Sequence, residues 1–369
     1  MNRLFRWDQM GLFLLALAAG ILPFAVPEVC AAALREGLTL CSGPLLLSLF
    51  PFLVVSRLLI QCPESDLLAL PFRLAAWGIG IRTPCAARVL CIGFLGGFAP
   101  AASAAAQAVR TGQLTAEEAD ALLPACICSG PSFVVLTVGQ SLLGSAELGV
   151  LLFASQITAN YLTAALLNRF AGVRSVKPGS AAPASPAPPR LDEILADAAI
   201  TYCKLCGFIL FFRMLAAGAG ALLPAGAGTL CAILLEVCSG CDLASRTGRW
   251  GSLLCCAALS VQGLSVLLQV RTICPPEMTL RPLYRARMLH LPLSLALFYL
   301  LLPGGEADVF STLSARVLLM RRVPPDCALL VFAVCCMATC TLRSGIRQVE
   351  QKQMARNAGG CCINSKTLL

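Results

Sequence analysis

A single histidine stands in 369 residues, and charged residues make up only 13% of the chain. Soluble domains carry about a quarter of their residues as Asp, Glu, Lys or Arg. That scarcity, beside 58% hydrophobic residues, excludes a soluble globular fold. With His290 alone, and with no visible nucleophile–base pair or phosphate loop, enzyme chemistry is not expected. The same lack weakens a metal reading. Twenty-one cysteines include the CxxC pairs Cys203/Cys206 and Cys238/Cys241, but no polar cluster completes a ligand set. Scattered through apolar runs, these thiols read as small hydrophobes in a reducing compartment, and neither metal nor cofactor is expected. Lysine is scarce too, 4 against 24 arginines, within a net charge of +9. The arginines fall in loops between apolar runs, where they face cytoplasm and lipid headgroups rather than nucleic acid.

What is abundant is apolar sequence in runs of about 20 residues, enough to cross a ~30 Å hydrocarbon core as helices. The runs are Gly11–Ala33, Leu38–Ile60, Ala86–Val109, Ala121–Gly144, Leu148–Phe170, Ile200–Leu223, Gly226–Gly240, Gly251–Val270, Leu289–Pro303 and Cys327–Leu342. An all-α, polytopic membrane protein follows. The first run is read as a retained helix, because Pro23, Pro27 and Glu28 leave no small-residue cleavage site.

Two runs are interrupted by small polar motifs, Cys128-Ser129-Gly130-Pro131-Ser132-Phe133 and Ser260-Val261-Gln262-Gly263-Leu264-Ser265. Irregular backbone at membrane depth is tolerated only where protein or a wet cavity satisfies it. Matched interruptions in two halves point to the binding site of a secondary transporter. A Pro/Ala-rich linker, 171–190, divides the halves. Keeping arginines cytoplasmic then places both termini inside, the loop Thr111–Asp120 outside, and Arg246 and Arg249 inside. It also requires re-entrant hairpins tipped at Ser129-Gly130-Pro131 and Gln262-Gly263. The expected result is an inverted-topology repeat. Its parts are a first helix (1–37), one repeat (38–170), the linker, a second repeat (191–303), an interfacial helix with a last span (304–342), and a tail (343–369). Arg316, Arg321 and Arg322 fit the interfacial helix Val309–Arg322.

Ser48-Leu49-Phe50-Pro51-Phe52, Gly93-Phe94-Leu95-Gly96-Gly97-Phe98-Ala99-Pro100, the loop from Gly112 to Ala119, Cys128 to Phe133, Glu236-Val237-Cys238-Ser239-Gly240 and Gly263 to Val270 occur in order. This set resembles the YlbJ-type sporulation integral membrane proteins of the nucleoside-recognition, or Gate-domain, group. The resemblance covers roughly residues 40–300. It implies a fold like that of concentrative nucleoside transporters, and export of dipicolinic acid across the outer forespore membrane. The chain departs from the family pattern at Ala99, Cys238 and Gln262, positions near the implied site.

On that reading, half-helix N-termini and the donors Ser129, Gly130, Ser132, Gln262, Gly263, Ser265 and Gln269 would surround a flat aromatic dianion. The same small residues would also serve close helix packing, the explanation preferred for Gly93, Gly96 and Gly97. Glu236 is the only carboxylate between Asp197 and Asp242. It is read as a proton or sodium coupling site, or as a counter-ion, with Arg213 as its natural partner or as a direct ligand for the anion. Glu117-Glu118 caps a helix after Thr115. His290, Trp77 and Trp250 anchor at the interface. Expected partners are a small anion, the bilayer and a coupling H+ or Na+, with homo-oligomerisation open. A neutral nucleoside or nucleobase carrier and a non-transporting sporulation factor are the alternatives.

Overall fold

Residues 2–61, 63–171 and 191–302 are described by a computed structural model, and among them every regular element is helical. The chain divides into units 1–306 and 307–369, and all described residues belong to the first. Residues 172–190 of the linker, the interfacial helix Val309–Arg322, the span Cys327–Leu342 and the tail lie outside the described residues.

Three helical stretches are long and apolar enough to cross a membrane: Ala146–Ala171, Leu191–Leu222 and Gly248–Ile273. Several expected spans are instead divided. The run Gly11–Ala33 forms α1 (Asn2–Ala25) and α2 (Pro27–Ser42), bent by 110°. Proline lacks the N–H an unbroken helix needs there, and it pushes the residue before it out of the helical region. Pro44 acts likewise after Gly43, so Leu38–Ile60 is shared between α2 and α3 (Pro44–Gln61).

After α4 (Leu70–Gly78), the run Ala86–Val109 becomes α5 (Pro84–Gly96) and α6 (Phe98–Arg110), joined at Gly97 with φ +81°. A Cβ on Gly93 would lie 3.2 Å from that of Ala101. Eight residues along a straight helix span ~12 Å, so α5 and α6 fold back as a hairpin. A row of buried alanines on α6, from Ala99 to Ala108, lets its neighbours approach closely.

The segment expected to form the first hairpin does not fold back. α7 (Ala116–Cys126) is followed by a non-helical break and a π-helical segment, Ser132–Leu142, and both lie along α8 (Ala146–Ala171). Asn168 Nδ2 donates to Ala121 O at 3.1 Å, Asn160 Nδ2 donates to Ile127 O at 3.3 Å, and Gly149 packs on the Val135 backbone. The contacts run in opposite sequence directions, so 116–142 is a broken helix antiparallel to α8.

The second half has the same order. α9 (Leu191–Leu222) is continuous. α10 (Ala225–Leu235) and α11 (Val237–Ser245) fold back at Glu236, bringing a Gly240 Cβ within 2.8 Å of Ile233 Cα. α12 (Gly251–Val261) and α13 (Gly263–Ile273) then run on through Gln262 within one candidate span, Gly248–Ile273, where the sequence reading expects a hairpin. α14 (Arg281–Leu301) closes the described region.

These fold-backs correct two expected loop positions. Arg88 donates to Ile60 O at 2.7 Å and to Gln113 at 3.0 Å, and Thr83 Oγ1 donates to Glu118 at 2.6 Å. The 111–120 loop therefore shares an end of the molecule with Arg57, Arg82 and Arg88 instead of lying opposite them. Conversely, Arg246 and Arg249 follow a hairpin that returns to the far end of α9, where Gly228 packs on Gly220.

Candidate functional site

Each hairpin tip packs against the broken helix of its own half. A Cβ on Gly97 would lie 2.7 Å from Gly130 N, and one on Gly263 (φ +69°) would lie 3.0 Å from Glu236 N. Only glycine permits these backbone-to-backbone approaches at positive φ. Gly130 differs: its nearest neighbour would be 3.5 Å away, ordinary contact. For Gly97 and Gly263 the packing reason is thus visible in the geometry.

The two breaks also meet. Gln262 takes a left-handed conformation (φ +66°) that ends α12, and its Nε2 donates to Leu259 O at 2.8 Å and to Ser129 Oγ at 3.3 Å. Beneath them lies Arg287 of α14. Its guanidinium donates to Ile127 O at 2.5 Å and to Ser260 O at 3.3 Å, so one side chain serves the carbonyl ends of both α7 and α12. Helix C-termini carry orphan carbonyls and about half a negative charge each. A buried cation between two such ends is therefore compensated by dipoles, and no carboxylate among the described residues pairs with it. Gln156 of α8 extends the network, donating to Ser260 Oγ at 2.9 Å and to Cys256 O at 3.2 Å. His290, expected at the interface, is instead buried, with Nε2 3.2 Å from Gln156 O.

A cavity opens where the hairpins and breaks converge, lined by residues of α3, α5, α6, α9, α11, α13 and the 129–133 stretch. Phe52, Phe98 and Phe133 supply aromatic wall, while Ser129, Ser132, Gln269 and Glu236 supply polar groups. Glu236, 2% exposed, is the N-cap of α11. One carboxylate oxygen accepts from Cys238 N at 2.8 Å, and the other from Ser239 N at 2.7 Å and Ser239 Oγ at 2.8 Å. The amides satisfy orphan donors and the positive helix end steadies the carboxylate. Gln269 Nε2 donates to Ser265 Oγ at 2.9 Å, which leaves its buried Oε1 without a partner.

Of the residues singled out from sequence, Ser129, Gly130, Ser132, Gln269 and Glu236 line this cavity. Gln262, Gly263 and Ser265 stand directly behind it through the contacts just given. Arg213 does not line it: the guanidinium pairs with Glu36 at 2.6 Å. Thr115 and Glu118 form the expected capping box, and Trp77 and Trp250 are exposed. Sequence reasoning missed Arg287, Gln156 and Asn160, although polar residues inside apolar helices are a signal in themselves.

Over the described residues, fold and site together define an all-helical protein of the membrane-spanning class. Among known proteins, no family model, no curated protein and no solved structure matches this chain.

Proposed function

We propose that this protein is an alternating-access carrier for a small aromatic solute, built as an inverted-topology repeat like that of concentrative nucleoside transporters. Each unit comprises a long helix, a re-entrant hairpin, a broken helix and a further helix: α3, α5–α6, 116–142 and α8 in one, and α9, α10–α11, α12–α13 and α14 in the other. With the arginine-rich end cytoplasmic, the α5–α6 hairpin enters from inside and the α10–α11 hairpin from outside. The observation that carries the reading is the cavity where both hairpins and both broken helices meet, lined by aromatic rings beside a buried carboxylate and an amide oxygen without a partner. Carriers place their substrate at such midplane breaks.

The resemblance supports dipicolinic acid as the solute, exported from the mother cell across the outer forespore membrane. The 129–133 stretch would supply backbone and hydroxyl donors, and Glu236 would carry a coupling proton that offsets the dianion's charge. A specific observation favours the second reading, a neutral nucleobase or nucleoside: among the described residues no Arg or Lys lines the cavity, and Arg213 is held by Glu36. Uptake of radiolabelled dipicolinate, uracil and uridine into proteoliposomes, with and without H+ or Na+ gradients, separates the two. Saturable uptake of one class, lost on Gln269→Leu, assigns the solute. Absence of uptake for every compound, with correctly inserted protein, refutes the carrier reading.

A further inference from the structure

A second cavity lies apart from the carrier site, at the arginine-rich end, walled by α3, α6, α9 and α13. Among the described residues three cations line it, Arg57, Arg110 and Lys204, against the single carboxylate of Asp197. Asp197 is already engaged: Arg57 donates to it at 2.5 Å and to Thr201 Oγ1 at 3.2 Å. The Arg57 side chain is 10% exposed, and its buried Nε has no partner. Arg110 and Lys204 pair with no anion among the described residues.

A helix-end role accounts for Arg110, which closes α6 and complements its negative end. It does not account for Lys204. That residue lies 13 positions into α9, ~20 Å from the start of the helix at 1.5 Å per residue. It falls on the same stripe as Asp197, Ile200 and Thr201, all of which line the cavity. Lys204 and Arg110 are both exposed, so their charges are open to an incoming anion. Ile200 lines the same cavity and is 55% exposed, so an apolar side chain stands beside the basic ones where an acyl chain could follow its headgroup.

We infer that this cavity binds a phosphate-bearing anion, the headgroup of an anionic lipid, with Lys204 and Arg110 as its charge partners and Gln107 as a further donor. Guanidinium and ammonium groups are the usual hosts of phosphate oxygens, and basic pockets between membrane helices take lipid headgroups. The site would tie α6 and α13, which line it near their ends, to the long helices α3 and α9.

Thermal stability and native mass spectrometry of the purified full chain test this, with phosphatidylglycerol, phosphatidylcholine or inorganic phosphate added. The informative variant is Arg110→Gln/Lys204→Gln, which spares the Arg57–Asp197 pair. Phosphatidylglycerol is expected to bind and stabilise the parent where phosphatidylcholine does not. The double variant is expected to bind it about 30-fold more weakly, with only the small stability loss that follows from the helix-end role of Arg110 when no lipid is added. Stabilisation by inorganic phosphate that is lost in the same variant supports a free anion at this site. Equal response to the two lipids, or an undiminished response in the double variant, overturns the proposal.

Discussion

Replacing Arg287 by Met tests how two broken helices are held at one depth. The guanidinium bonds Ile127 O and Ser260 O, the carbonyl ends of α7 and α12. Met fills similar volume but donates nothing. Ser260 O then loses this donor, at about 1–3 kcal/mol, while Ile127 O keeps the Asn160 amide and loses only its charge-assisted bond. Removing a buried charge works the other way, since an ion out of water costs several kcal/mol unless compensated. Here the compensation is present, because both helix ends point negative charge at the same cation, so the loss should dominate. Arg287→Lys should fall between, because one ammonium cannot reproduce the planar fork. In detergent, Arg287→Met should melt several degrees below the parent. A single cysteine placed at Ser129, a site only 6% exposed in the parent, should label faster when Arg287 is replaced. A melting temperature within about 1 °C of the parent, with unchanged labelling at 129, would refute the clamp.

Gly97→Ala and Gly263→Ala should each cost about 1–3 kcal/mol from positive-φ strain and backbone contact, whereas Gly130→Ala should be nearly neutral, as read by thermal melts. Equal loss at all three would mean that the hairpin-tip contacts are misassigned. Cysteines at Glu117 and Glu277 should label from one side of the membrane, and those at Glu147 and Arg249 from the other; labelling of Glu117 together with Glu147 would dismantle the single crossing by the broken helix 116–142. Glu236→Ala should destabilise by about 1–2 kcal/mol through the lost N-cap, with Glu236→Gln milder because its amide oxygen still accepts. If Glu236→Gln retains stability yet loses the response of transport to an H+ gradient, the carboxylate carries the coupling proton. A fully retained response excludes that role.

Much of the architecture was legible in the chain. Apolar runs and scarce charge determined an all-helical membrane protein, and the breaks at Ser129-Gly130-Pro131 and Gln262-Gly263 were located correctly, because proline and glycine act on the backbone locally. Five of the nine residues proposed for the site line one cavity, since polar groups in apolar helices are costly enough to be informative by themselves. What each break does was not legible. The hairpins form at Gly97 and Glu236, and the breaks at 129–131 and 262 interrupt helices that continue, yet all four read alike as small polar motifs in apolar runs. The difference lies in what packs across them: Ala101 on Gly93 and Ile233 on Gly240 in the hairpins, and α8 along the broken helix 116–142. The surroundings of Arg287 and Arg213 were hidden for the same reason. Sequence counts a charge and its depth, but only tertiary structure brings two helix ends to Arg287 and Glu36 to Arg213, because partners 160 and 177 residues apart in sequence meet through packing alone.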